Sequence, residues 1–305
     1  METRRIGTLQ VSVVGLGCNN FGARIDEATS TTVVHAALDA GITFFDTAEL
    51  YADGKSEEFL GKALGRRRSG VIIATKFGHK RWHPDRGAHP TYVRRAVEAS
   101  LRRLGTDVID LYQLHTPDPL VPIADTLGAL DELVKAGKVR EIGCSQFSVE
   151  QLREAAGAVK PGAAKFVSVQ NEYSLLRREP ERGVLQYCEQ HAMAFLPFFP
   201  LASGLLTGKY RKGKGVPEGS RIADWFDGKI SREDLDHVEG LIAFAESRGH
   251  TILDLAFSWL RAHPMIASVI AGATTAEQVH ANVAAAWRLT SQEMAAIDRI
   301  APPAD

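Results

Sequence analysis

Gly41-Ile-Thr-Phe-Phe-Asp46-Thr-Ala-Glu-Leu-Tyr51 sets a short apolar run, Ile42–Phe45, between a glycine and a cluster of polar residues. The run is rich in β-branched and aromatic residues and too short for a helix, so it reads as a buried strand. Upstream, Asp26 to Ala40 reads as a helix that stops at Gly41, where glycine suits the left-handed C-terminal cap. Downstream, Ser56 with Glu57 and Glu58 opens a second helix that stops at Gly65, with acidic residues placed in the first turn. Helix, strand, polar strand end and helix together make one repeat of an α/β fold.

The same repeat extends in both directions. Short apolar runs recur at Val13–Leu16, Ile42–Phe45, Val71–Ala74, Val108–Leu114, Val139–Gly143, Phe166–Val169, Ala194–Phe198 and Ile266–Ile270, which makes eight. Helices are expected between them: from Pro90 to Leu104, from Ile123 to Ala136, from a capping box at Ser148, from Pro180 to His191, from Ser231 to Arg248, from Leu253 to Ala262 and from Ala276 to Trp287. Ile6 to Val11 reads as an N-terminal β-hairpin, and Ser291 to Ile300 as a C-terminal extra helix. Eight strands alternating with helices predict a (β/α)8 TIM barrel. The alternative is an open doubly wound sheet, which carries G-x-G-x-x-G after its first strand. Here that place reads Gly15-Leu-Gly17-Cys-Asn-Asn-Phe-Gly22, which is not that spacing. No composition break divides the chain, so residues 1–305 are expected to form a single barrel domain. The longest irregular stretch, Gly208 to Gly228, is of a length that is often functional.

Composition narrows the function classes. Of 305 residues, 45% are hydrophobic and 24% charged, the balance of a globular protein. A formal charge of −1 gives no electrostatic reason to bind nucleic acid or an anionic membrane. No apolar stretch approaches the roughly 18 residues of a membrane span. Cys18, Cys144 and Cys188 are too widely spaced for a zinc ribbon or disulfide framework. Reduced thiols, with no signal-peptide core at Met1–Gly7, point to a cytoplasmic protein.

Active sites of such barrels lie at the C-terminal ends of the strands. Asp46, Lys76 and His115 follow the second, third and fourth runs, and Tyr51 stands one short loop away. A phenol with a pKa of about 10 is a poor acid at neutral pH. A nearby ammonium favours its phenolate, a carboxylate keeps that ammonium charged, and a neutral imidazole can donate to a carbonyl oxygen. The set suits proton donation to a carbonyl that receives hydride.

These segments resemble the aldo-keto reductases. The resemblance rests on Gly41 to Tyr51, Ser56-Glu-Glu-Phe-Leu-Gly61, Ile73-Ala-Thr-Lys76, Asp110-Leu-Tyr-Gln-Leu-His115 and Gly137-Lys-Val-Arg-Glu-Ile-Gly143-Cys-Ser145. It continues through Gln170-Asn-Glu-Tyr173, Pro200-Leu-Ala-Ser-Gly204-Leu-Leu-Thr-Gly-Lys209-Tyr and Ala271-Gly272 to Asn282. It implies NADP(H)-dependent reduction of an aldehyde or ketone, with NAD(H) as the alternative cofactor. A catalytic tetrad falls on Asp46, Tyr51, Lys76 and His115, with Tyr51 as general acid and Lys76 depressing its pKa. By the same resemblance, Ser145, Gln146 and Gln170 hold the nicotinamide carboxamide and Phe198 stacks on the ring. Gln146 stands where the family usually has Asn. Leu201, Ser203 and Lys209 fall at the pyrophosphate, Arg221 near the 2′-phosphate, and Gly272, Thr274, Gln278 and Asn282 at the adenosine end. Thr275 is expected at a helix N-terminus.

The expected partner is a small carbonyl compound; the oligomeric state stays open. One rival is a cofactor-binding regulatory protein on the same fold, like channel β-subunits. Another is a metal-dependent hydrolase using His79, His83, His89 and His115, but three of these share one loop and no metal site is expected. Trp82, Trp225 and Phe226 are candidate walls for the substrate.

Overall fold

The computed structural model describes residues 1–79, 87–225 and 229–303. Strands β1 (Thr3–Ile6) and β2 (Leu9–Ser12) form an antiparallel hairpin. Eight parallel strands follow: β3 (Val14–Gly17), β4 (Phe44–Asp46), β5 (Ile72–Phe77), β6 (Ile109–Leu114), β7 (Val139–Ser145), β8 (Phe166–Glu172), β9 (Ala194–Phe198) and β10 (Val269–Gly272). They pair in chain order from β3 to β9, with β10 on the free side of β3. A parallel bridge between Phe195 and Ile266 closes the ring, with the Phe195 N–H donating to Met265 O and the Ala267 N–H to Phe195 O. This is the expected (β/α)8 barrel.

Strand alternation builds the site. Phe44, Ala74, Leu111, Leu196 and Ile270 form one inner apolar layer, and Ile6, Leu9 and Val11 of the hairpin pack onto that layer's cluster. Two residues further along β4, β5 and β6 stand Asp46, Lys76 and Gln113, all buried. The polar residues therefore occupy the next inner layer, toward the C-terminal ends of the strands. The outward residues, such as Phe45, Ile73, Phe77 and Tyr112, join the larger core under the helices.

The helices are α1 (Glu27–Asp39), α2 (Lys55–Leu64), α3 (Pro90–Leu104), α4 (Ile123–Lys135), α5 (Val149–Ala158), α6 (Val184–Gln190), α7 (Arg221–Trp225), α8 (Arg232–Glu246), α9 (Ile252–Arg261), α10 (Ala276–Ala284) and α11 (Ser291–Ile300). Ser148 closes a capping box on α5, and Thr275 caps α10. Several boundaries differ from expectation: the last strand falls at Val269–Gly272 rather than Ile266–Ile270, and α10 ends at Ala284 rather than Trp287. Helix α2 starts at Lys55, because the Ser56 hydroxyl donates to Cys18 O and meets Thr47 Oγ1 rather than capping. The stretch from Pro180 to His191 breaks at Gly183, whose φ of 147° no helix adopts. The long loop after Gly208 contains the short α7.

Candidate active site

At the C-terminal mouth of the barrel lies a cavity of about 830 Å3. Of the residues expected in the tetrad and around the cofactor, its wall contains all but Lys76, which sits just beneath it. Lys76 Nζ donates to Asp46 Oδ2 at 2.6 Å, to Thr47 O at 2.9 Å and to Tyr51 Oη at 3.3 Å. The other Asp46 oxygen accepts from Gln170 Nε2 at 2.9 Å and Gln113 Nε2 at 3.4 Å. Both carboxylate oxygens are thus bonded and the ammonium is fixed beneath the phenol. The Tyr51 ring meets His115 edge-on at 5.9 Å.

Electrostatics at this centre run partly against expectation. Burial pushes the Tyr51 phenol above its usual value; Lys76 pulls it back, and Asp46 adds to the rise. The expected depression by Lys76 is present but outweighed, since the phenol is inside the protein. Tyr51 is therefore held as the neutral phenol at neutral pH. Burial works against the Lys76 ammonium, yet Asp46 and Tyr51 hold its pKa above the ordinary value. Burial, then Lys76 and His79, hold His115 well below the usual imidazole range, so its ring is neutral. His115 Nδ1 is buried and has no partner among the described residues.

Around the tetrad, Ser145 Oγ donates to Gln170 O at 2.8 Å, and Gln146, with φ of 62°, donates Nε2 to His115 O. Gln146 is one methylene longer than the usual Asn, and its amide is turned onto the His115 carbonyl. Phe198 and Phe199 meet edge-on at 5.3 Å. Phe199, Ala202, Ser203 and Gly204 all have positive φ, which coils the backbone tightly along the cavity wall. A side chain at Gly204, besides its φ of +100°, would meet Lys209 Nζ at 3.3 Å. Gln278 Oε1 accepts from the Thr274 N–H at 2.8 Å, tying α10 to the end of β10.

Among the described residues, three cations line the same cavity: Arg24, Lys209 and Arg221. Burial and the neighbouring Arg24 lower Arg221 to about 10, while burial with Arg24 and Arg221 lowers Lys209. Arg221 donates to Asn20 Oδ1 at 2.8 Å and Asn19 Oδ1 at 3.2 Å, and its guanidinium lies over the Phe199 ring. Arg24 donates to Gly219 O across the mouth.

Sequence reading missed Arg24, Asn19, Asn20 and Gln113. Gln113 was findable, since it stands two residues after the inward Leu111 on β6. The others lie in the loop after β3, which carries no periodic signal. His79 lines the cavity with its ring edge-on to His115 at 4.7 Å, whereas His89 caps α3. Among the described residues no three metal-ligating groups converge. Trp82, His83, Phe226 and the Trp225 side chain lie outside the described residues.

Comparison with known proteins adds three findings. The model of the aldo/keto reductase family matches residues 13–302. The aldo-keto reductase YhdN of Bacillus subtilis is 37% identical, over 96% of this chain and 90% of its own length. A probable voltage-gated potassium channel subunit beta of Arabidopsis thaliana is 34% identical, over 93% of this chain and 91% of its own. A solved aldo-keto reductase from Klebsiella pneumoniae in complex with NADPH superposes with a TM-score of 0.80 at 31% identity, covering 99% of this chain and 96% of that one. A match spanning both the strand-end polar layer and the cavity wall leaves one conclusion: the chain belongs to the aldo/keto reductase family.

Proposed function

We propose that the protein reduces an aldehyde or ketone to the alcohol with NADPH, and that Tyr51 is the proton donor. The observation that carries this reading is the stack of Asp46, Lys76 and Tyr51, bonded at 2.6 and 3.3 Å beneath an open cavity. Tyr51 gives its proton to the carbonyl oxygen as negative charge develops there, and the fixed Lys76 ammonium stabilises the phenolate left behind. His115, kept neutral, donates to the same oxygen and orients the carbonyl. NADPH, when bound, supplies the hydride for the carbonyl carbon.

The chemistry of the cavity fits that cofactor. Burial and Arg24 make the charges of Lys209 and Arg221 more costly, and Arg221 adds to the cost at Lys209; a polyanion relieves that repulsion. Lys209, Leu201 and Ser203 would hold the pyrophosphate and Arg221 the 2′-phosphate. Ser145, Gln146 and Gln170 would hold the carboxamide, and Phe198 would pack on the ring. Gly272, Thr274, Gln278 and Asn282 would take the adenosine end. NADPH over NADH follows from Arg221, with NADH as the weaker alternative.

A second reading, a cofactor-binding regulatory protein, has one observation in its favour: the Arabidopsis relative named as a probable channel subunit. The experiment that separates them is Tyr51→Phe. Loss of general acid catalysis should cut carbonyl reduction by about 10²–10⁴-fold, with NADPH affinity within twofold of wild type. A variant keeping more than a few per cent of the turnover would remove Tyr51 as the donor.

A further inference from the structure

Two carboxylates, Glu49 and Glu57, are buried behind the tetrad, at 5% and 0% exposure. Burying a carboxylate is costly unless every oxygen is bonded, and these two are bonded in the same pattern. Each turns one oxygen to the segment around Lys76, Glu57 to β5 itself and Glu49 to the residue just after it, and the other to α3. Glu57 Oε1 accepts from the Thr75 hydroxyl at 2.5 Å, and Glu49 Oε1 from the Gly78 N–H at 3.0 Å. Glu57 Oε2 accepts from Arg103 Nε at 2.6 Å, and Glu49 Oε2 from the Tyr92 hydroxyl at 2.8 Å. Tyr92 and Arg103 are three helical turns apart and so share a face of α3. The Glu49 N–H also donates to Lys76 O at 3.1 Å.

The spacing along the chain gives this pattern its meaning. Glu49 and Glu57 bracket Tyr51 on one segment, and Thr75 and Gly78 bracket Lys76 on the other. The two segments are therefore joined at a point on either side of the 3.3 Å contact between Tyr51 and Lys76. Neither carboxylate lines the cavity, so neither touches a substrate there. We infer that Glu49 and Glu57 are positioning residues, a two-point clamp that sets the distance between the proton donor and the ammonium that stabilises its conjugate base. The clamp serves proton transfer and so rests on the reductase reading above.

The test reads Tyr51 directly and does not depend on turnover. Phenol ionisation is followed by ultraviolet difference titration, with Tyr51→Phe subtracted. Thr75→Val keeps the shape of the side chain and removes only the donor to Glu57, so Tyr51 stays buried while Lys76 loosens. Glu49→Leu fills the same space without an acceptor, and Glu49→Gln keeps an acceptor for Gly78. An opposite charge at this range shifts a pKa by about 1–3 units. Thr75→Val and Glu49→Leu should each raise the Tyr51 titration by about half a unit or more, and Glu49→Gln should restore it. Misplacement of a reacting group by about 1 Å costs up to about 10²-fold. In a chain that turns over, kcat should therefore fall about tenfold in Thr75→Val while NADPH affinity and KM hold. Arg178→Met, which breaks the Arg178 pairs with Glu181 and Asp298, serves as a control for lost stability alone.

A Tyr51 titration that is unchanged in Thr75→Val and Glu49→Leu overturns the clamp, even if both variants lose as much stability as the control. If Glu49→Leu does not fold, Thr75→Val alone decides. A wild type with no turnover on any carbonyl would instead fail the reductase reading, and the titration would still decide the clamp.

Discussion

Tyr51 shows why a residue's role cannot be read from its neighbour alone. The pairing with Lys76 suggested a depressed pKa, yet burial wins and the phenol stays protonated. That suits reduction, which consumes the proton, and penalises oxidation, which needs the phenolate. The wild type should therefore reduce carbonyls at a rate nearly flat from neutral pH upward until the phenol ionises. Alcohol oxidation should still be climbing above pH 10, the usual tyrosine value. In Lys76→Met the one large influence that lowers the Tyr51 pKa is gone, so the oxidation profile should move to still higher pH and the neutral-pH rate should drop steeply. Rates of alcohol oxidation across pH, for both proteins, check this. An unmoved profile would leave Lys76 as a brace for Asp46 only.

Among the elements, the strands were legible and the loops were not. Ala74 and Lys76 on β5, or Leu111 and Gln113 on β6, show the reason: an inward apolar residue fixes the register, and register places the polar residue two positions on. Asp46, Lys76 and His115 were read from their place at the ends of the apolar runs, whereas Tyr51 stands a loop away and the residues after β10 rested on the resemblance alone. Arg24 sits in the loop after β3, where no period constrains position, so nothing in the sequence set it across the mouth from Gly219. The long loop before α8 was likewise read by composition, and α7 inside it went unseen. The same loop carries the cofactor prediction. Arg221 bridges to Asn19 and Asn20 on the facing loop, and a charge-assisted contact to a phosphate is worth about 1.5–3 kcal/mol. NADPH should bind roughly ten- to a hundredfold more tightly than NADH, and Arg221→Ala should erase most of that by weakening NADPH alone. Dissociation constants for both cofactors, by fluorescence quenching at two salt concentrations, check it. Equal weakening of both would reassign Arg221 to the pyrophosphate or to the bridge between loops.

For the whole molecule, the barrel sets the stage and the site decides the activity. The hairpin packs on the inner apolar layer, and the opposite mouth holds the bonded Asp46, Lys76 and Tyr51 with His115 beside them. Relatives named as reductases and as a channel subunit lie at similar identity, so the comparisons do not choose between catalysis and regulation; the bonded Asp46–Lys76–Tyr51 stack argues for catalysis. The most direct measurement is of the wild type with NADPH and a panel of simple aldehydes and ketones, following cofactor oxidation by absorbance and the alcohol by chromatography. The account predicts one alcohol formed for each NADPH consumed with at least one carbonyl of the panel. Tight NADPH binding with no alcohol from any member of the panel would contradict it.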